Sequence, residues 1–185
     1  MWKKISSKIV YETPWIKVQE DEVIQPDGKQ DRYTFLNTPE SCMIIAWDKK
    51  SRSLFLINEF RYPIGRAIWQ FPSGVIENGL APLENAQKEL IEETGIVARE
   101  WKELRQIYSF PGKTTNLLHI FIASDLDLNE VKINQEGNES ICEIKKFKIS
   151  EIKKMMKDGT INSSETLAAL MIFFDYKSKL GIKIL

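Results

Sequence analysis

The spacing of apolar residues changes along the chain, and with it the expected local structure. From Ile16 to Ile24 apolar and charged residues alternate, the period of a half-buried strand, and Pro26-Asp27-Gly28-Lys29 offers a turn before Tyr33 to Phe35. An N-terminal β-hairpin is therefore expected. Cys42 to Trp47 and Leu54 to Phe60 are short apolar runs joined by a polar stretch, as buried strands are. The period then switches. Leu83, Ala86 and Leu90 recur at i, i+3 and i+7, with Pro82 suited to a first helical turn and Gly95 to a left-handed terminus, which predicts a helix with those three residues buried. Strands are expected again over Trp101 to Tyr108, Leu117 to Ala123 and Ile141 to Ile149, with a polar loop over residues 125–138. Two helices follow: one capped by Ser150 and ended by Asp158-Gly159, and one capped by Ser163 or Ser164 with Leu167, Leu170, Met171 and Phe174 as its apolar face. This order of elements indicates an α+β fold with a mixed sheet.

Composition narrows the class of molecule. The 185 residues carry 26 Lys plus Arg against 26 Asp plus Glu, so bulk charge gives no reason to expect nucleic acid or a membrane surface as partner. An anionic ligand would have to be held locally. The N-terminal residues lack an uninterrupted apolar core of the kind a secretory signal needs, and no run approaches the ~20 apolar residues of a membrane span. A cytoplasmic protein is expected. Cys42 and Cys142 both sit in apolar contexts and outside any CxxC pair, which suggests buried free thiols. The single histidine, His119, has no second His or Cys cluster for zinc and no nucleophile elbow to serve, and reads as a core histidine.

The predicted helix holds the candidate chemistry. Glu89, Glu92 and Glu93 fall three and four residues apart on one face, where like-charge pairs destabilise a helix by about 0.2–0.5 kcal/mol each. Two readings follow: a solvated acidic face with Lys88 as partial counter-charge, or a set of ligands for a hard divalent cation such as Mg²⁺.

The wider segment favours the second. Gly74, Glu89, Leu90, Glu92, Glu93, Gly95 and Ile96 fall in the register of the Nudix box, Gly-x5-Glu-x7-Arg-Glu-apolar-x-Glu-Glu-x-Gly-apolar, and the segment resembles it. Leu80 stands in place of the first Glu and Lys88 in place of Arg. Lysine keeps the charge but loses the planar fork that can hold two carboxylates. Glu77 and Glu84 are near enough in sequence to act as substitutes for the missing acid. Pro111, together with the runs Asn58 to Gly74 and Asp158 to Leu170, resembles the ADP-ribose pyrophosphatase and nucleoside diphosphate sugar hydrolase group of the family.

That resemblance implies an α/β/α sandwich over residues 39–185, with residues 1–38 forming N-terminal strands that relatives often exchange in a homodimer. It implies Mg²⁺-dependent hydrolysis of the diphosphate of ADP-ribose or a related nucleoside diphosphate sugar, with Mn²⁺ as an alternative metal. Its metal ligands would be Ser73, through its carbonyl, with Glu89, Glu92 and Glu93, of which Glu92 would also take part in catalysis. The general base would be Glu139, or failing that Glu136. Arg61 and Arg66 would contact phosphate, although Arg66 could equally be a surface charge, and Pro111 would lie on the substrate side. Trp15, or Trp2, would stack on the base, from the neighbouring subunit if strands are exchanged. Alternatives are a Nudix-fold nucleotide sensor with weakened catalysis, and a hydrolase of another nucleoside polyphosphate.

Overall fold

Strand pairing divides the chain into a small N-terminal sheet and a larger layered body. The structure, a computed structural model, describes residues 1–14, 16–129, 131 and 141–179. One compact unit comprises residues 1–40 and 107–118, the other residues 41–106 and 119–185.

In the first unit, β1 (Lys3–Glu12), β2 (Lys17–Ile24) and β3 (Gln30–Asn37) form an antiparallel sheet in that order. The β2–β3 hairpin is the one expected from Pro26-Asp27-Gly28-Lys29, with Gly28 at a φ of +88°. Strand β1 was not anticipated: all ten of its residues are exposed, so its apolar side chains leave no alternating pattern. The loop containing Pro111 closes against β3. Leu36 donates its N–H to the Lys113 carbonyl at 2.8 Å, and the Tyr33 hydroxyl donates to the Gly112 carbonyl at 3.0 Å.

In the second unit β4 (Ser41–Asp48), β5 (Ser53–Arg61), β8 (Val97–Tyr108), β9 (Leu117–Asp127) and β10 (Ile141–Lys148) form a mixed sheet in the order β10-β5-β4-β9-β8. Two short strands join it, β6 (Arg66–Gln70) beside β5 and β7 (Ser73–Val75) beside β4. Helix α1 (Pro82–Thr94) lies on one face, where Ala86 and Leu90 pack with Cys42, Ile44 and Ala46 of β4. Alternation sends the remaining β4 side chains to the other face. There Trp47 meets Phe173 of α3 (Ser164–Lys179), with ring centroids 5.2 Å apart.

Several expectations need correcting. Leu83 is exposed, and its place in the buried stripe of α1 goes to Asn85. The backbone of residues 75–77 lies against that turn and needs a polar partner, which leucine cannot supply. Helix α2 (Ile149–Lys157) starts before Ser150, its first turn held by Glu151, whose carboxylate accepts the Lys148 N–H at 2.7 Å. Ser163 caps α3 by accepting the Thr166 N–H. On α3, Met171 is 69% exposed, and the buried face runs through Thr166, Ala169, Leu170, Phe173 and Lys177. Cys42 is buried, but Cys142 is exposed, at a register shift of β10 against β5. His119 is buried, as expected of a core histidine, with Nδ1 2.7 Å from Glu103 Oε1.

Candidate active site

The loop between β7 and α1 and the inner face of α1 bring the box residues together. Pro82 opens the helix, and Glu84 closes its first turn by accepting the Ala81 N–H at 3.0 Å. Gly95, at φ +69°, ends it and donates to the Ile91 carbonyl at 2.8 Å. Strand β7 is pinned by antiparallel pairing of Ser73 with Met43 and of Gly74 with Cys42.

Glu93 is only 3% exposed, and its Oε2 accepts the Ser73 backbone N–H at 2.9 Å. The Glu89 carboxylate lies against Gly74 so closely that a Cβ there would come within 2.0 Å of Oε1. Glycine at this position is therefore a matter of space: any side chain would displace the carboxylate. The two acids also share a neighbour. Burial pushes the Cys42 thiol pKa up, and the negative charges of Glu89 and Glu93 push it the same way.

Asn85, which sequence reasoning missed, holds the arrangement together. Fully buried, it accepts the Glu77 N–H at 3.0 Å and donates through Nδ2 to the Val75 carbonyl at 3.2 Å and to Glu89 Oε1 at 3.3 Å. The same nitrogen lies 3.5 Å from Cys42 Sγ. The signal was available, because Asn85, Glu89 and Glu93 recur at i, i+4 and i+8, a polar line along the seam of an amphipathic helix.

Glu92 faces elsewhere. The Lys88 ammonium lies 3.5 Å from Glu92 and 2.5 Å from Glu77, and the hydrogen bond to Glu77, followed by the charge of Glu92, holds the lysine pKa above its ordinary value. Glu77 and Glu84, the proposed substitutes for the acid missing at Leu80, are thus engaged by Lys88 and by the helix cap.

Arg61 sits at the end of β5, with Nη1 3.0 Å from Glu59 and Nε donating to Gln70 at 3.2 Å, while Gln70 donates to Glu59 at 2.6 Å. Arg66 pairs opposite Arg61 across the Tyr62-Pro63 turn and lines a cavity of about 340 Å³ with Asn58, Trp69 and Thr160. Pro111 belongs to the first unit, in the turn closed by the Lys113 N–H on the Phe110 carbonyl. Trp15, Glu136 and Glu139 lie outside the described residues.

Among the described residues no group of three or more His, Cys, Asp or Glu side chains is gathered as a ready-made metal cage. The donors near Ser73 and Gly74 are hard carboxylate oxygens, and Glu89 and Glu93 supply two of them. Such a set suits Mg²⁺, which is usually bound by one or two carboxylates and completes its octahedron with water and substrate oxygens.

Two family profiles match the chain: the nucleoside diphosphate sugar hydrolase N-terminal domain over residues 2–36 and the NUDIX domain over residues 37–170. An ADP-ribose pyrophosphatase of Bacillus subtilis (strain 168) is 24% identical over 168 residues, covering 91% of this chain and 90% of the relative. A GDP-mannose pyrophosphatase of Enterobacter sp. (strain 638) is 29% identical over 134 residues, covering 69% of each chain. The fold is also that of a crystal structure of an ADP compounds hydrolase, with a TM-score of 0.85 at 18% identity over 98% of this chain and 97% of that one. Nudix hydrolases generally use divalent metal ions. With the NUDIX profile spanning residues 37–170 and Glu89 and Glu93 of its box set against Gly74 and Ser73, this chain belongs to the Nudix family of hydrolases, which act on phosphorus-containing anhydrides.

Proposed function

We propose that the chain hydrolyses the diphosphate bond of ADP-ribose or a related nucleoside diphosphate sugar with Mg²⁺, releasing a nucleoside monophosphate and a sugar phosphate. The observation that carries this reading is the pair of carboxylates, Glu89 and Glu93, drawn onto Ser73 and Gly74 of β7 in a chain whose N-terminal segment matches the nucleoside diphosphate sugar hydrolase profile. Relatives named for ADP-ribose and GDP-mannose support the substrate class.

In this reading Glu89, Glu93 and the Ser73 carbonyl hold the metal, and Glu92 joins them on release from Lys88. Bound there, Mg²⁺ would neutralise phosphate oxygens and lower the pKa of a water. Gly74 keeps the loop close enough for substrate oxygens to approach the carboxylates, and Asn85 fixes the direction of Glu89. Arg61 and Arg66 supply positive charge for the phosphate distal to the nucleoside. Glu139, or Glu136, takes the proton from the attacking water. Trp15, or Trp2, stacks on the base, and Pro111 lies on the substrate side. The protein acts in the cytoplasm as a homodimer through its N-terminal sheet, whose strand β1 presents Ile5, Ile9 and Tyr11 to solvent. No helix among the described residues is long and apolar enough to cross a membrane.

A panel of nucleoside diphosphate sugars, incubated with Mg²⁺ or with a chelator, tests the proposal. Equimolar monophosphate and sugar phosphate, formed only with metal, is the expected result. Binding without metal-dependent turnover across the panel would instead support the sensor reading.

A further inference from the structure

A second cavity, of about 570 Å³, opens on the opposite face of the sheet from α1, at the end of β4 where Trp47 leads into Lys49. Met43, the partner of Ser73, precedes Trp47 by four positions on the same strand, or roughly 13 Å at the rise of a strand. The cavity is therefore separate from the carboxylate site by both face and distance. Its volume falls within the range of small-molecule pockets.

Its lining is unusual in charge and shape. Among the described residues of the lining, Lys49, Arg52, Lys102 and Lys177 contribute four cations, against a single acid, Glu100. That acid is already bonded to Lys49 and accepts a hydrogen bond from Ser124 at 2.9 Å. Trp47 and Tyr176 supply aromatic walls, while the Trp101 side chain, between Glu100 and Lys102 on β8, packs on the α1 side of the sheet.

Lys177 is the most informative of these residues. It occupies a core position of α3 and is only 4% exposed, yet among the described residues no carboxylate lies within ion-pair distance of it. Its ammonium rests instead over the rings of Trp47 at 4.8 Å and of Phe173 and Tyr176 at 5.6 Å. Burial, and next the like charge of Lys49, push its pKa down. Ring faces offset only part of the cost of removing an ammonium from water, and an anion would offset more. Lys102 adds a second ammonium at the rim, 4.8 Å from the Tyr176 ring centre.

We propose that this cavity is a ligand site for a small aromatic anion, a flat ring bearing one carboxylate or phosphate, with the anionic group held by Lys177 and Lys102 and the ring lodged between Trp47 and Tyr176. The cations select for charge, and the aromatic walls select against an inorganic ion. The proposal does not depend on the reaction at the carboxylate site.

Indole N–H resonances of the ¹⁵N-labelled full chain, assigned by Trp→Phe variants, report on this cavity directly. Benzoate and phenyl phosphate test the two forms of the anion, benzamide the need for charge, and inorganic phosphate the need for a ring. A saturable shift of the Trp47 indole is expected with benzoate or phenyl phosphate, at affinities at least tenfold tighter than for benzamide or inorganic phosphate. Lys177→Met, which keeps the length of the buried stem, should weaken binding at least tenfold. Lys102→Ala, at an exposed position, should weaken it severalfold and decides the matter if the Lys177 variant does not fold. Non-saturating shifts at millimolar probe, equal affinity for benzamide or inorganic phosphate, or binding unchanged in the folded variants would overturn the proposal.

Discussion

Helix α1 buries polar side chains of a kind usually left in water, and strand β1 exposes apolar ones of a kind usually buried. Glu93 is 3% exposed, whereas Ile5 and Ile9 are 51% and 45% exposed. The difference lies in what compensates each. A carboxylate withdrawn from water is costly unless it is hydrogen-bonded, and α1 meets that need with the Ser73 N–H for Glu93 and the Asn85 amide for Glu89. Nothing equivalent covers β1 within its own sheet, where it is the edge strand and all ten of its residues are exposed. The first departure is compensated inside the chain and belongs to chemistry. The second is left open and, on our reading, belongs to assembly.

Glu93→Gln is the most severe test of the α1 half. The amide carbonyl can still accept the Ser73 N–H, so the fold should persist, while the loss of a charged oxygen donor should lower turnover beyond the roughly 10–100-fold typical of an outer-shell partner. Steady-state rates and thermal melting on the same preparation separate the two effects. Wild-type turnover with a native melt would return the buried acids of α1 to a purely structural role.

Asn85→Ala and Asn85→Leu ask whether the polar line of the helix is itself needed. Both strip the Glu77 N–H and the Val75 carbonyl of a partner in a buried setting, a loss of about 1–3 kcal/mol for each group left unsatisfied. Leucine restores the apolar stripe that sequence periodicity favours, yet it should be destabilising as well. Turnover should fall in both, by about 10–100-fold, because Glu89 loses its orienting donor. If Asn85→Leu is more stable than the native chain, ordinary hydrophobic burial governs this face and the contrast with β1 collapses.

Ile9→Lys addresses β1. If β1 is an assembly surface, this change should shift sedimentation from dimer toward monomer while leaving the stability of the monomer within about 0.5 kcal/mol, as is usual for an exposed position. An unchanged sedimentation coefficient would mean that the exposed isoleucines of β1 do not mediate assembly.

The sequence was most legible where one period dominates. Cys42 to Trp47, Leu54 to Phe60 and the helix from Pro82 to Thr94 stand close to their expected bounds, because a continuous apolar run or a Pro-to-Gly frame leaves few alternatives. Strand β1 was invisible because all ten of its residues are exposed, so no face is marked. On α3 the pattern pointed to Met171, but the buried line ends at Lys177, whose aliphatic stem and ring contacts let a charged residue take a core position. At the site, the box spacing located Glu89, Glu92 and Glu93 but could not show that Lys88 would draw Glu92 aside, nor that Asn85 would replace Leu83 inside. Those outcomes depend on which backbone groups of residues 75–77 need partners, and that is set by tertiary packing.

Leu80→Glu should have the smallest effect, and it sharpens the account of Glu92. Leu80 is half-buried in the loop before α1, where its N–H donates to the Glu77 carbonyl at 3.1 Å. That bond is made by the backbone and survives the substitution, so stability should change by no more than about 1 kcal/mol. A carboxylate at this position would compete with Glu92 for the Lys88 ammonium, which lies 3.5 Å from Glu92 in the native chain. With Glu92 released toward the other acids, the metal concentration needed for half-maximal activity should fall severalfold at unchanged or higher turnover. A metal titration of rate for both chains provides the measurement. A rise in the metal requirement, with melting unchanged, would mean that Lys88 does not restrain Glu92 and that the chain works with the other carboxylates alone.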